Sequence, residues 1–203
     1  MIGAVAFDIG KVLLDFDYLI LVRKMAPHTQ WSEAKLNDYL NQSPLLARYE
    51  SGELSSSEFF GMIQRETDFT GGEAEFAALF EDIFTPIAGM IDIHRQIAQS
   101  GTPTFTFSNT NEMAVRYISR TYDFWKMFKG HVLSYEVGAL KPEAKIYEAL
   151  EELSDLNGEE IIYLDDRSEN CAAGSERGWQ VCCHQDVESS RRFLSSVGDL
   201  SLT

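Results

Sequence analysis

The sequence predicts an α/β protein, a doubly wound parallel sheet in the Rossmann-like manner with an inserted α-helical segment. Three observations predict it. Short apolar runs end in acids, Val5-Ala6-Phe7 before Asp8 and Ile161-Ile162-Tyr163-Leu164 before Asp165-Asp166. After Pro86, strand-like runs alternate with helical patterns, which implies right-handed βαβ units and parallel pairing. From about Asp17 to Phe84 the pattern is helical with no convincing strand.

Taken in order, Gly3 to Phe7 reads as a short buried strand, and Val12-Leu13-Leu14 as a second extended piece after a turn at Gly10. Tyr18 to Met25 is apolar on several faces. Trp31 to Leu40 has helical spacing, with Ser32 as its N-cap. Ser55-Ser56-Ser57-Glu58 offers a capping box ahead of Phe59, Phe60 and Ile63. Glu73 to Phe84 places Phe76, Leu79, Phe80 and Ile83 at helical intervals. Ile87 to Gln99 is a helix stopped by Gly101. A strand at Thr104–Phe107, a helix at Glu112–Thr121 and a strand at His131–Leu133 follow. Next come a helix from Pro142 to Leu153, with Pro near its first turn, and a strand at Ile161–Leu164. A helix at Glu169–Arg177, a strand at Gln180–Cys183 and a helix at Ser189–Val197 complete the pattern.

Composition narrows the function. The 203 residues suit one α/β domain or a core with a modest insert. The net charge of −15, from 17 basic and 32 acidic residues, repels nucleic acid and anionic membrane surfaces, so neither is an expected partner. It also repels phosphate esters, so a metal or a local cation must offset it wherever phosphate binds. Three cysteines, Cys171, Cys182 and Cys183, give no disulfide framework. With no basic n-region and no long apolar h-region at the start, the expected compartment is the cytoplasm. No apolar run approaches the length of a membrane span.

Acids where strands stop are poor core material, because an unpaired buried charge is costly. They are good ligands for a hard cation such as Mg²⁺. In a doubly wound sheet, ligands bind beyond the carboxyl ends of the strands. Four such places here carry polar residues: Asp8, Ser108-Asn109, a segment reaching Lys141, and Asp165-Asp166.

The text and order of these segments resemble the haloacid dehalogenase (HAD) superfamily of hydrolases. The four motifs read Phe7-Asp8-Ile9-Gly10-Lys11-Val12, Phe107-Ser108-Asn109-Thr110-Asn111, Gly138-Ala139-Leu140-Lys141-Pro142 and Tyr163-Leu164-Asp165-Asp166-Arg167-Ser168-Glu169-Asn170. The resemblance covers essentially the whole chain. Within the superfamily the chain is similar to the bacterial α-glucose-1-phosphate phosphatase-like branch. It implies a HAD-like core formed by residues 1–16 and 85–203 and a helical cap formed by residues 17–84. It also implies a Mg²⁺-dependent phosphatase acting on a small phosphorylated metabolite, such as a sugar phosphate.

By that resemblance Asp8 is the nucleophile and forms an aspartyl phosphate. Asp8, Asp166 and the Gly10 carbonyl bind Mg²⁺, with Asp165 either a further ligand or in support behind them. Ser108 and Asn109 hold phosphate oxygens through a hydroxyl and a backbone N–H. Lys141 pairs with both the phosphate and Asp8. Asn170 stands where many relatives carry a second acid, and a supporting hydrogen bond is its expected role.

The chain departs from the usual pattern at two positions. Most phosphatases of the superfamily carry a second aspartate two residues after the nucleophile, where this chain has Gly10. Three readings follow: a substrate with a good leaving group, a proton supplied from elsewhere, such as the inserted helices, or binding without hydrolysis. Lys11 is the other departure, either a phosphate contact or a solvated surface lysine. Tyr49, Glu50, Glu53 and Phe60 are among the insert's candidates to line the cleft, and the sequence singles out none of them.

Two alternatives stand beside the phosphatase. One is a 2-haloacid dehalogenase, which uses an aspartate nucleophile without a metal. The other is a catalytically impaired phosphate-binding protein. The four histidines show no paired metal-ligand spacing, and there is no Walker A loop and no Gly-x-Ser-x-Gly turn. Cys171 reads as a small buried thiol.

Overall fold

The computed structural model describes residues 2–41 and 43–197. Five parallel strands form the central sheet: β1 (Ala4–Phe7), β4 (Thr104–Ser108), β5 (Gly130–Leu133), β6 (Ile161–Asp165) and β7 (Gln180–Cys183). Their order is β5-β4-β1-β6-β7. The chain winds outward from β1 through β4 to β5, then returns to the other side of β1 as β6 and β7. The crevice where winding reverses, beyond the carboxyl ends of these strands, is where such sheets bind ligands.

The alternation of side chains along the strands explains the double winding. Val5 and Phe7 of β1, with Ile162 and Leu164 of β6, point to one face. Ala4, Ala6, Ile161 and Tyr163 point to the other. Strands apolar on both faces need helices on both. The first face packs against α6 (Ala88–Gln99), α7 (Glu112–Thr121) and α11 (Val187–Ser196), through Met90, Ile93, Met113 and Leu194. The second packs against α8 (Ser134–Val137), α9 (Ala144–Ser154) and α10 (Ser168–Glu176), through Ile146, Tyr147 and Leu150 of α9.

The helical insert leaves and re-enters the core through a two-stranded antiparallel ribbon, β2 (Leu14–Phe16) and β3 (Phe84–Pro86), with Phe16 opposite Phe84. Between them lie α1 (Tyr18–Met25), α2 (Glu33–Leu40), α3 (Pro44–Glu50), α4 (Ser56–Thr67) and α5 (Glu73–Glu81). The caps expected from sequence form. The Ser32 hydroxyl accepts from the Lys35 N–H, and Ser55 with Glu58 closes a full capping box. Leu21, Leu36, Tyr49, Phe59 and Phe76 of these helices join the same apolar cluster as β1.

Four local readings are corrected. Val12 and Leu13 are not strand: the Ile9 carbonyl accepts from the amides of both Leu13 and Leu14 at 2.9 Å and curls the chain into a turn, so the strand begins at Leu14. Phe84 is not helical, because pairing with Phe16 claims it, and strand pairing across 68 positions has no local signal. Pro142 lies outside α9, whose N-cap is Glu143. Finally α3, seven residues with Pro44 in its first turn and Ser43 as cap, is too short to carry a helical periodicity and is an addition to the expected elements. No disulfide forms among the described residues, and Cys171 is buried as expected.

Candidate active site

The four motif segments converge at the carboxyl edge of β1, β4 and β6. Asp8 follows β1 directly, its N–H donating to the Leu164 carbonyl of β6 at 2.9 Å. Its carboxylate is almost wholly buried. Oδ1 accepts from the Ile9 N–H at 2.7 Å and from the Ser108 hydroxyl at 2.6 Å, and Oδ2 lies 3.3 Å from Lys141 Nζ. Burial pushes the Asp8 carboxyl up to about 7. Lys141 pulls it back, and the Asp165 charge pushes it up again.

Lys141 is fully buried by its side chain and binds three groups. Nζ reaches Asp165 Oδ2 at 2.6 Å, the Phe107 carbonyl at 2.8 Å, and Asp8. Burial alone would lower its pKa, but the two carboxylates win and hold it above the ordinary lysine value. Asp165 is the tighter partner. Burial pushes its carboxyl up, yet Lys141 and further hydrogen bonds keep it below the ordinary value.

Asp165 has no solvent exposure and its oxygens are crowded. Oδ2 accepts from Lys141, from the Tyr163 hydroxyl and from Asn170 Nδ2; Oδ1 accepts from the Arg167 N–H at 2.8 Å and from Asn170 at 3.0 Å. Asn170 is thus a hydrogen bonder to Asp165, as expected. Asp166 is half-buried, and burial followed by the Asp165 charge raises its carboxyl. Asp8, Asp165 and Asp166 can each bring an oxygen within 4.8 Å of the others, a grouping able to hold a metal ion.

Asn109 does something sequence reasoning did not foresee. Its amide oxygen accepts from the Lys141 N–H at 2.7 Å, and its Nδ2 donates to the Lys141 carbonyl at 3.1 Å. The side chain is therefore spent on locking the two loops together, leaving only its backbone N–H for phosphate. Lys11 has a left-handed backbone (φ 57°) and turns away to Asp15 and to the Phe16 carbonyl at 2.9 Å, its ammonium 4.8 Å from the Phe16 ring centre.

The Phe16 ring also explains Gly10. A Cβ at position 10 would sit 2.8 Å from Phe16 Cε1, so any side chain there needs the ring to move. A cavity of about 590 Å³ opens above these residues, between the sheet edge and the insert. Its floor is polar: Asp8, Ser108, Lys141, Asp166. Its roof is largely apolar: Phe16, Leu46, Phe80, Ile83, Phe84. The polar groups that the insert brings to this roof are the Tyr18 and Ser43 hydroxyls and the Glu50 carboxyl. Of the insert residues singled out from sequence, Tyr49 and Phe60 are core, and Glu53 is exposed and paired with Arg48. Only Glu50 reaches the cleft.

The fold is haloacid-dehalogenase-like, and the proteins to which the chain is similar include hydrolases of that fold. No family model matches the chain. Among known proteins it is similar to the sesquiterpene phosphatase AstK of Aspergillus oryzae, with 24% identity over 178 residues and 86% of each chain covered. Among solved structures it is similar to a HAD family enzyme of Bacteroides thetaiotaomicron in complex with magnesium and inorganic phosphate. That likeness has a TM-score of 0.80, 19% identity, and covers 92% of this chain and 96% of that one. It is also similar to the L-2-haloacid dehalogenase of Xanthobacter autotrophicus, with a TM-score of 0.65, 14% identity, and 98% and 86% covered. Among the described residues no helix is long and apolar enough to cross a membrane.

Proposed function

We propose that the chain is a Mg²⁺-dependent phosphatase that hydrolyses a small phosphorylated metabolite through an aspartyl phosphate on Asp8. The observation that carries this reading is the Asp8 carboxylate shared by the Ser108 hydroxyl and the Lys141 ammonium beside Asp165 and Asp166, at the floor of one cavity. Asp8 attacks phosphorus. The bond to the leaving oxygen breaks, its electron pair stays on that oxygen, and the oxygen takes a proton. Water then attacks phosphorus, releasing orthophosphate and restoring Asp8. Ser108 and Lys141 would hold phosphoryl oxygens, and Asn109 keeps the Lys141 loop in register.

The donor set fits Mg²⁺. The grouped donors are hard oxygens, and Lys141 pairs with only two of the three carboxylates, Asp8 and Asp165, so a divalent cation would relieve their repulsion. Asp8, Asp166 and the Gly10 carbonyl would hold it, with Asp165, already satisfied, supporting them. When bound, the metal neutralises charge on the transferring phosphoryl group. The helical insert, residues 17–84, would act as the cap that excludes water and selects the substrate.

For the substrate, the roof matters. A hexose needs hydrogen-bond partners on most of its carbons; Phe16, Leu46, Phe80, Ile83 and Phe84 supply none, which leaves Tyr18, Ser43 and Glu50 as the insert's polar groups there. The cavity therefore favours a phosphate ester with an apolar leaving group over a sugar phosphate, in keeping with the sesquiterpene phosphatase to which the chain is similar.

The test is phosphate release from hexose phosphates, aliphatic alkyl phosphates and acyl phosphates, with Mg²⁺ and with EDTA. Turnover is expected to be fastest on the alkyl esters. It should fall on the order of 10²-fold or more in EDTA, the several kcal/mol of charge stabilisation a metal supplies. Chloride release from 2-chloropropionate that persists in EDTA, without phosphate release from any ester, would transfer the reading to a dehalogenase.

A further inference from the structure

We propose that Glu50, on the helical insert, is the proton donor to the leaving oxygen and the base that activates water, in the role Gly10 cannot fill. The inference rests on the phosphatase reading of the same site.

Position is the first argument. Glu50 ends α3 and lines the same cavity as Asp8. Its backbone is held to the core: the Ser134 hydroxyl donates to the Glu50 carbonyl at 2.6 Å and accepts from the Thr110 N–H at 2.9 Å, two residues beyond Ser108. The neighbouring Tyr49 hydroxyl accepts from the Met113 N–H of α7 at 3.1 Å. Two residues on, Gly52 has φ 76°, and a Cβ there would lie 2.2 Å from the Tyr135 carbonyl oxygen. These contacts dock the end of α3 against the phosphate-binding loop and fix where the carboxyl starts.

The second argument is that this carboxyl is unspent. Among the described residues no ion pair or hydrogen bond claims it, and the nearby Arg167 is paired with Glu169. A carboxylate on the last residue of a helix faces the negative end of the helix dipole, which is an unfavourable place for an anion. Burial and then the charge of Asp8 push the Glu50 carboxyl up to about 7, with Arg167 opposing them. Lys11, Lys141 and Asp166 are the other charged groups lining the cavity. An acid that can hold or release its proton near neutrality is suited to general acid–base work.

The third argument is the exclusion of the usual place. Phe16 fills the space a side chain at position 10 would need. The proton must then come from another wall, and Glu50 is the acid in the roof.

In the first step the Glu50 carboxyl would give its proton to the leaving oxygen as that oxygen separates from phosphorus. In the second, the resulting carboxylate would take a proton from water as the water oxygen attacks phosphorus, which restores Glu50.

The test compares wild type and Glu50→Gln on decyl phosphate, whose alkoxide leaves poorly, and on p-nitrophenyl phosphate, which leaves without a proton. With decyl phosphate, Glu50→Gln should lose on the order of 10²- to 10⁴-fold in kcat and show no burst. With p-nitrophenyl phosphate it should release one equivalent of nitrophenolate rapidly and then turn over slowly, because phosphorylation survives and dephosphorylation lacks its base. Glu50→Asp should recover part of the loss. Wild-type rates on both esters, or equal slowing of both with no burst, would overturn the proposal. A wild type inactive on every ester would instead overturn the phosphatase reading beneath it.

Folding of the variant is checked by thermal unfolding. A glutamate whose pKa is higher folded than unfolded costs stability once pH exceeds the unfolded value, and the cost is complete above about 7. Glu50→Gln should therefore be at least as stable as wild type at pH 8, with the gap closing towards pH 4.

Discussion

Asp8→Asn abolishes turnover, by on the order of 10⁴-fold or more, and leaves the protein folded. The substitution is isosteric. An asparagine amide oxygen can still accept from the Ile9 N–H and the Ser108 hydroxyl, now 2.7 and 2.6 Å from Asp8 Oδ1. What is lost is the carboxylate proposed to attack phosphorus, and a neutral amide is a far poorer nucleophile. Stability should not fall, because burial already disfavours the charged form of Asp8. The measurement is steady-state phosphate release alongside a thermal melt. A variant that keeps a tenth of wild-type activity would remove Asp8 from the nucleophile's role. A variant that melts well below wild type would show that the Asp8–Lys141 contact carries more structure than its 3.3 Å separation suggests.

Lys141→Met unfolds more easily, by about 3–5 kcal/mol, because it leaves two buried carboxylates without their cation. By size scaling that is a fall in Tm of about 6–20 °C. Asp165 suffers more than Asp8. It has no exposure, its bond to Nζ is 2.6 Å, and Lys141 is the strongest influence holding its carboxyl ionised. The double variant Lys141→Met with Asp165→Asn should regain much of the stability, since the stranded charge is removed, and none of the activity. A melt in EDTA measures the effect free of any bound cation. If the single variant lost less than about 1 kcal/mol, the ion-pair account of this site would fail, since breaking a buried pair costs several times that.

The sequence supplied the parts that depend on short range. Apolar runs ending in acids marked β1 and β6, and alternation after Pro86 marked the parallel sheet. Ser32 and the Ser55–Glu58 box cap their helices because a capping hydroxyl needs only the next turn of chain. Asp8, Ser108 and Asp165-Asp166 were legible because each lies at or just beyond a strand's carboxyl end, where the winding of the sheet must bring them together, and Lys141 because its motif follows them in order, although α8 separates it from β5.

Other features depended on partners far along the chain. Phe84 looked helical until Phe16 claimed it as a strand partner. The backbone N–H of Asn109 was the expected phosphate contact, and what the sequence did not show is that its side-chain amide faces the Lys141 backbone, 32 positions away. Lys11 was open between phosphate and solvent, and its left-handed backbone and Asp15 turn it along the ribbon. Glu50 was one of several insert residues that could line the cleft, and nothing local set it apart, because α3, the helix it ends, has no periodicity signal of its own.

By itself, then, the sequence determined the sheet, its winding and the polar edge where chemistry belongs. Those follow from periodicity and from the cost of burying charge. The tertiary structure alone decided which groups share that edge with the insert: Phe16 against Gly10, the largely apolar roof, and Glu50 brought to the same cavity as Asp8 with its backbone held by Ser134. The physical reason is that hydrogen-bond geometry and packing between distant segments are set by how the chain closes, and no local pattern of residues encodes that closure.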